Sequence, residues 1–279
     1  MARLLTRAAI FIAVATVPVV FIVAPIASIL GMSLRRVEDN QIVHDVSLIN
    51  FQTFLSDSTY PQVFLGTLGL CCGVTLIGVG IGYPIAYFIW RRGRAKYVFL
   101  LLFILPLLMS YIVKIYTMRS ILGLNGFLNQ SLMAIGALEA PSLLFLYNRS
   151  SILVAMSVIF LPFAILPIFL SLERIPKTLA QASADLGASP GATFRHIVLP
   201  LSAPGTIAGG LFVFVLALGD FITPQMVGGP SGFTIGRVIW SQFGLAYNWP
   251  FGAALGTILL ALSLVIIAVA GLVVQRRKV

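Results

Sequence analysis

The chain has 279 residues, of which 59% are hydrophobic and only 9% charged, against roughly 45–50% and about 25% in an average soluble domain. Too little polar surface is left to cover a water-soluble globule, which excludes an ordinary soluble enzyme, a disordered chain and a secreted disulfide scaffold. The net charge of +10 would suggest nucleic acid in a soluble protein, but here the basic residues stand in short clusters between apolar runs, which is how membrane orientation is written.

Six stretches reach the ~20 mostly apolar residues that cross a bilayer: 8–30, 61–90, 97–117, 151–172, 203–227 and 251–274. The first follows Arg3 and Arg7 and is longer than the apolar run of a signal peptide. Its Pro18 and Pro25 predict a kink. The second carries adjacent Cys71 and Cys72, which have no metal-ligand spacing. Gly69 and Gly73, Gly78 and Gly82, and Gly252 and Gly256 each have a small-xxx-small spacing that lets helix backbones approach closely. Such faces pack within the chain or against a second membrane subunit.

Arg91, Arg92, Arg94 and Lys96 crowd one loop, and Arg276, Arg277 and Lys278 close the chain. Positive loops stay cytoplasmic, so both termini and the 91–96 loop are expected inside. If 118–150 crossed the membrane, the 91–96 and 174–195 loops would fall on opposite sides. Asn125, Gly126, Asn129 and Gln130 also interrupt it, so an outer-surface amphipathic helix is expected there. On this topology the inside segments hold 12 Lys+Arg against 2 Asp+Glu, and the outside ones, counting Lys114 and Asp220, 6 against 6. The net charge reports orientation.

Chemistry-bearing motifs are wanting. Gly78, Gly80 and Gly82 resemble a dinucleotide loop, but no strand precedes them and Tyr83 occupies the position the last glycine needs. Gly229-Pro230-Ser231-Gly232 resembles the surroundings of an intramembrane serine nucleophile, yet His44 and His196 lie in loops that cannot easily serve it as a base. A turn is the simpler reading. No phosphate loop, metal helix or selectivity filter occurs. Neither a catalytic site nor a metal site is expected.

The longest inside loop, 173–202, is densely punctuated. A short helix is expected over 177–186, with Pro176 near its first turn and Gly187 as a left-handed terminator. Ser189 fits an N-cap and Pro190 a first helical position. Pro200 and Pro204 are expected to end this second short helix and redirect the chain into the fifth span. The loop reads as a rigid helix–turn–helix.

Gln181-Ala182-Ser183, then Gly187, then Ile197, Leu199 and Pro200 resemble the EAA loop of ABC importer membrane subunits, whose form is E-A-A, three residues, G, nine residues, I-x-L-P. Asp185-Leu186-Gly187-Ala188-Ser189, with Thr193-Phe194, extend the match. Gly219-Asp220-Phe221, Pro224, Gly228-Gly229-Pro230, Ile235-Gly236 and Asn248-Trp249-Pro250-Phe251-Gly252 are similar to the spermidine/putrescine permease group. Gln181 stands for the family's glutamate and Ser183 for its second alanine. The resemblance implies an all-α type I importer permease fold over 1–279, with six transmembrane helices. It implies half of a translocation pore beside a second permease, most simply a different chain. Two ATPase subunits, carrying the ATP and Mg, and an extracytoplasmic solute-binding protein would complete the transporter in the inner membrane and its lipid. The 177–200 loop would dock on an ATPase, and nucleic acid has no place in such an assembly.

For the solute path, Asp220 is the one carboxylate in an expected span, so it should face the bundle interior or a water-filled cavity. It attracts a cationic solute, pairs with Lys114, or is simply exposed at the interface. Tyr111, Tyr116, Phe233, Trp240, Tyr247 and Trp249 lie near outer span ends, as an interfacial belt or as a cation-binding lining. A polyamine is the leading solute; an opine, an amino-acid derivative, a phosphonate or a ferric ion are alternatives. The competing function is a stand-alone ion-coupled secondary transporter.

Overall fold

The computed structural model describes residues 14, 16–39 and 41–276. The orientation signals Arg3, Arg7, Arg277 and Lys278, and the beginning of the first expected span, lie outside the described residues. By its internal contacts the chain divides into two compact units, Met1–Gln62 with Val238–Leu262 and Val63–Arg237 with Ser263–Val279.

In the first unit, helix α1 (Thr16–Ser33) contains a π turn at Val19–Val23, flanked by Pro18 and followed by Pro25. A proline withdraws an N–H and crowds the carbonyl four residues back, so the expected kink takes the form of a widened turn. Strands β1 (Arg36–Glu38) and β2 (Gln41–Val43) form a small antiparallel ribbon. The buried Asn50, in α2 (Ile49–Ser56), donates to the carbonyls of Ser33 (2.9 Å) and Arg35 (2.6 Å) and fastens that segment to the end of α1. The Phe251 ring meets the edge of Tyr60 at 4.9 Å, and Asn248 caps the backbone N–H of Phe251.

The second unit takes up most of α3 (Thr59–Arg91), then α4 (Lys96–Ile104), α5 (Tyr111–Leu122), α6 (Phe127–Ala134), α7 (Arg149–Glu173), α8 (Lys177–Asp185), α9 (Pro190–Gly219) and α10 (Ile222–Val227). Helix α11 (Ile235–Gly244) and helix α12 (Trp249–Arg276) follow. Helix α7 is the hub, with Ile152, Met156, Ile165, Ile168, Phe169 and Leu172 all fully buried. Its tightest partner is α9. A Cβ at Gly205 would stand 2.5 Å from the Pro167 carbonyl oxygen, and one at Gly209 2.8 Å from that of Ala164. Lipid gives no hydrophobic drive for helix association, so this close backbone approach is what holds the pair. Of the glycines expected to pack, Gly73, Gly78 and Gly82 do face this chain's own helices, at Leu153, Val213 and Ala164. Among the described residues, Gly256 meets nothing within 4 Å.

Three sequence expectations are corrected. The third span is two helices meeting at 97° rather than one over 97–117. Pro106 tightens a 3-10 turn at Leu105–Leu108, Met109 is extended, and the chain restarts at Tyr111. Residues 118–150 form no single amphipathic helix. Helix α5 runs on to Leu122 and α6 is only eight residues long, while buried Asn129 pins Gly123 and Ser142 through its side-chain amide. Finally, Pro200 and Pro204 do not end a helix, because α9 runs unbroken from Pro190 to Gly219. A π turn at Phe194–Val198 precedes Pro200 and relieves the crowding, and membrane helices tolerate proline where neighbours satisfy the freed carbonyls. Helix α9 then stops eight residues before the expected end of the fifth span.

Lys96 and Glu173 form an ion pair between the start of α4 and the end of α7. It ties the 91–96 loop and the beginning of the 173–202 segment to the same end of the bundle, as a non-crossing 118–150 requires.

Candidate functional site

The 173–202 segment is built as its punctuation predicts up to Thr193. Helix α8 ends on Gly187, at φ +77°. There the Ala188 N–H reaches the Ser183 carbonyl (3.0 Å) and the Gly187 N–H that of Ala184 (2.9 Å). This is the Schellman pairing, which satisfies the last helical carbonyls and calls for a left-handed residue. Ser189 accepts the Ala192 N–H and caps α9. The Ser183 hydroxyl is buried and shares a 2.8 Å hydrogen bond with that of Thr193. The two helices are thus bolted across the turn. Gln181, Ala182, Asp185, Leu199 and Pro200 are exposed, Ile197 is half-buried, and Leu186 stands at 89% exposure at the tip. The segment is a stiff projection that exposes most of its motif residues.

A stiff, capped projection between membrane helices is the geometry that a transport subunit needs. The family of binding-protein-dependent transport system inner membrane components matches residues 75–279. The chain belongs to this family. It is 34% identical to the spermidine/putrescine transport system permease protein PotB of Escherichia coli (strain K12), over 85% of this chain and 86% of that one. Against the protein of the same description in Haemophilus influenzae, identity is 36% over 87% and 86%. The fold is that of a bacterial ABC transporter involved in the import of alginate, with a TM-score of 0.78, 16% identity, and coverage of 99% of this chain and 96% of that one. The permease is therefore a multi-pass inner-membrane transport component with no catalytic role of its own. A stand-alone secondary transporter is set aside.

At the opposite end of α9, the structure revises the expected solute path. Asp220 lies in the extended break between α9 and α10, outside either helix, and is 8% exposed. Its Oδ1 accepts the N–H groups of Ile222 (3.0 Å) and Thr223 (3.2 Å), and its Oδ2 accepts the Tyr111 hydroxyl at 2.6 Å. Because Tyr111 gives its proton to Asp220, Thr223 donates to the Tyr111 oxygen, at 2.8 Å. Among the described residues no ion pair joins Lys114 to Asp220; the Lys114 ammonium lies 5.6 Å from the Tyr111 ring centroid. Tyr111, Lys114, Phe160, Asp220 and Phe221 line one cleft. Tyr116 is exposed on α5, away from the Asp220 hydrogen bonds. Trp240 and Trp249 belong to the first unit, where Trp249 meets Phe243 edge-on at 5.9 Å. The structure brings Asp220, Lys114 and Tyr111 to one cleft.

Sequence reading missed Tyr111 as the partner of Asp220, and it missed a cluster of Tyr83, Tyr87 and Phe194 at the base of α9. Both join residues about a hundred positions apart, and no local pattern signals such pairs.

Proposed function

We propose that this permease is half of the pore of an ATP-driven polyamine importer, with both termini and the 177–200 segment on the cytoplasmic side. A second, different permease would complete the pore, two ATPases would dock on the projections, and a solute-binding protein would deliver spermidine or putrescine from outside. The similarity to two polyamine permeases over more than four-fifths of each chain is the observation that carries the solute class. The exposed Leu186 and the capped, rigid turn behind it support the docking role. Such an apolar side chain on a stiff tip gains by burial against a partner. Asp220, already engaged on both oxygens, acts on the path by holding the break between α9 and α10 in shape; the neighbouring Lys114 completes the polar wall of the cleft.

Proteoliposomes containing the two permeases and the ATPases, supplied with the binding protein, test this reading. Radiolabelled spermidine is expected to accumulate only with ATP and binding protein, and to be displaced by putrescine. Displacement instead by an opine, an amino-acid derivative, a phosphonate or ferric ion would move the solute class. ATP-independent uptake by this chain alone would overturn the proposal.

A further inference from the structure

The Phe194 side chain emerges from the π turn of α9 and is held edge-on by two rings of α3: Tyr83 at 6.0 Å and Tyr87 at 5.2 Å between centroids. Such T-shaped contacts have a defined geometry. The Tyr83 hydroxyl then reaches the fully buried Ser202 hydroxyl of α9 at 2.7 Å, one turn beyond the π segment. Helix α3 therefore grips α9 on both sides of its widest turn. One residue before Phe194, Thr193 carries the hydroxyl bond to Ser183 of α8. Ala184 and Ala188 on one side, and Trp90 and Arg91 on the other, face each other across a cleft. The packed route from α8 to α3 passes around that space, through Thr193 and Phe194.

We propose that Phe194 is a positioning residue that makes α3 and α9 move as one lever with α8. A displacement of the α8 projection would then be delivered to two membrane helices at once. The aromatic wedge is what prevents the π turn, with its wider and poorer hydrogen bonding, from absorbing the motion as a local bend. Close-packed contacts transmit strain, whereas a gap does not. This inference rests on the reading that the 177–200 segment receives the ATPase.

The test uses the assembled transporter, with Cys71 and Cys72 replaced by serine. Spin labels are placed at Leu76 of α3 and Phe212 of α9, both exposed, and their separation is measured without nucleotide and after ATP hydrolysis in the presence of vanadate, which traps ADP. With Phe194 intact the separation is expected to hold within about 2 Å, the scale of small helix shifts. In Phe194→Ala it is expected to change by about 5 Å, the scale of a one-turn slip, and Phe194→Tyr is expected to restore the fixed separation. Tyr87→Leu, which removes one face of the wedge, should loosen the pair in the same way. A separation that changes with Phe194 intact, or that stays fixed in both Phe194→Ala and Tyr87→Leu, would overturn the lever. A cysteine at Leu186 tests the underlying reading separately. If it fails to cross-link to an ATPase subunit, the docking role fails. If it cross-links and the separations disobey, the lever alone fails.

Discussion

The two ends of α9 solve opposite problems. At the Pro190 end, the chain leaves the bundle, turns on one left-handed glycine and exposes most of what its motif contains. At the Gly219 end, it stops on a buried carboxylate whose oxygens are all engaged by this chain. On the proposed docking the first end is completed by a partner, whereas the second is already complete within this chain. Change at the first should therefore show in transport, and change at the second in stability.

The largest effect is expected at Gly187. A β-branched residue resists φ +77°, so Gly187→Val should unseat the Schellman turn and lower ATP-driven uptake by ~10-fold or more. The cost of one left-handed residue, about 1–2 kcal/mol, should lower the melting temperature of the purified chain by about 2–6 °C. Normal uptake by this variant would remove the coupling role from the segment. Asp220→Leu should do the reverse. It strands the Tyr111 hydroxyl and two backbone N–H groups in a buried site, at a total of about 3 kcal/mol once partial rescue by neighbours is allowed for. A melting temperature about 5–10 °C lower follows by the usual scaling for a chain of this size. A melting temperature unchanged by Asp220→Leu would mean that the carboxylate does not carry the break.

The same contrast decides what could be read in advance. Pro176, Gly187, Ser189 and Pro190 act on their immediate neighbours, so their spacing predicted the turn, its hand and its cap. The contact of Tyr111 with Asp220 spans 109 positions and depends on a 97° elbow, and no periodicity encodes an elbow. Proline misled in one place because its rule is a rule for water. At Pro200 the preceding π turn, closed by the Leu199 N–H on the Phe194 carbonyl, makes room for the ring without breaking the helix. Gly205 and Gly209 have the same spacing as the glycine pairs singled out in the second and sixth spans, yet they make the closest backbone contact with α7. Spacing shows that a face is small and not which backbone will meet it. The family resemblance was legible because the segment of strongest local punctuation is also the one that carries the family's spacing.

The smallest effect concerns the ion pair of Lys96 with Glu173, which lies at the projecting end but joins two elements of the same chain. Hydrogen bonding to the Glu173 carboxylate holds the Lys96 ammonium above the ordinary lysine range. A folded-state value that is raised contributes stability fully present below the unfolded lysine value of about 10.4, and loses it as pH rises through the folded value. Lys96→Met should therefore lower the melting temperature by no more than about 2 °C, as expected for a pair near the surface. That difference should stay flat from about pH 6 to 9 and shrink only above about pH 10.4. A thermal scan of both chains across this range checks it. If the difference instead grew with pH, the bridge between the two loops would not be electrostatic. If it reached the size expected for Asp220→Leu, the projecting end would be as self-sufficient as the buried one, and the contrast between the two ends of α9 would break.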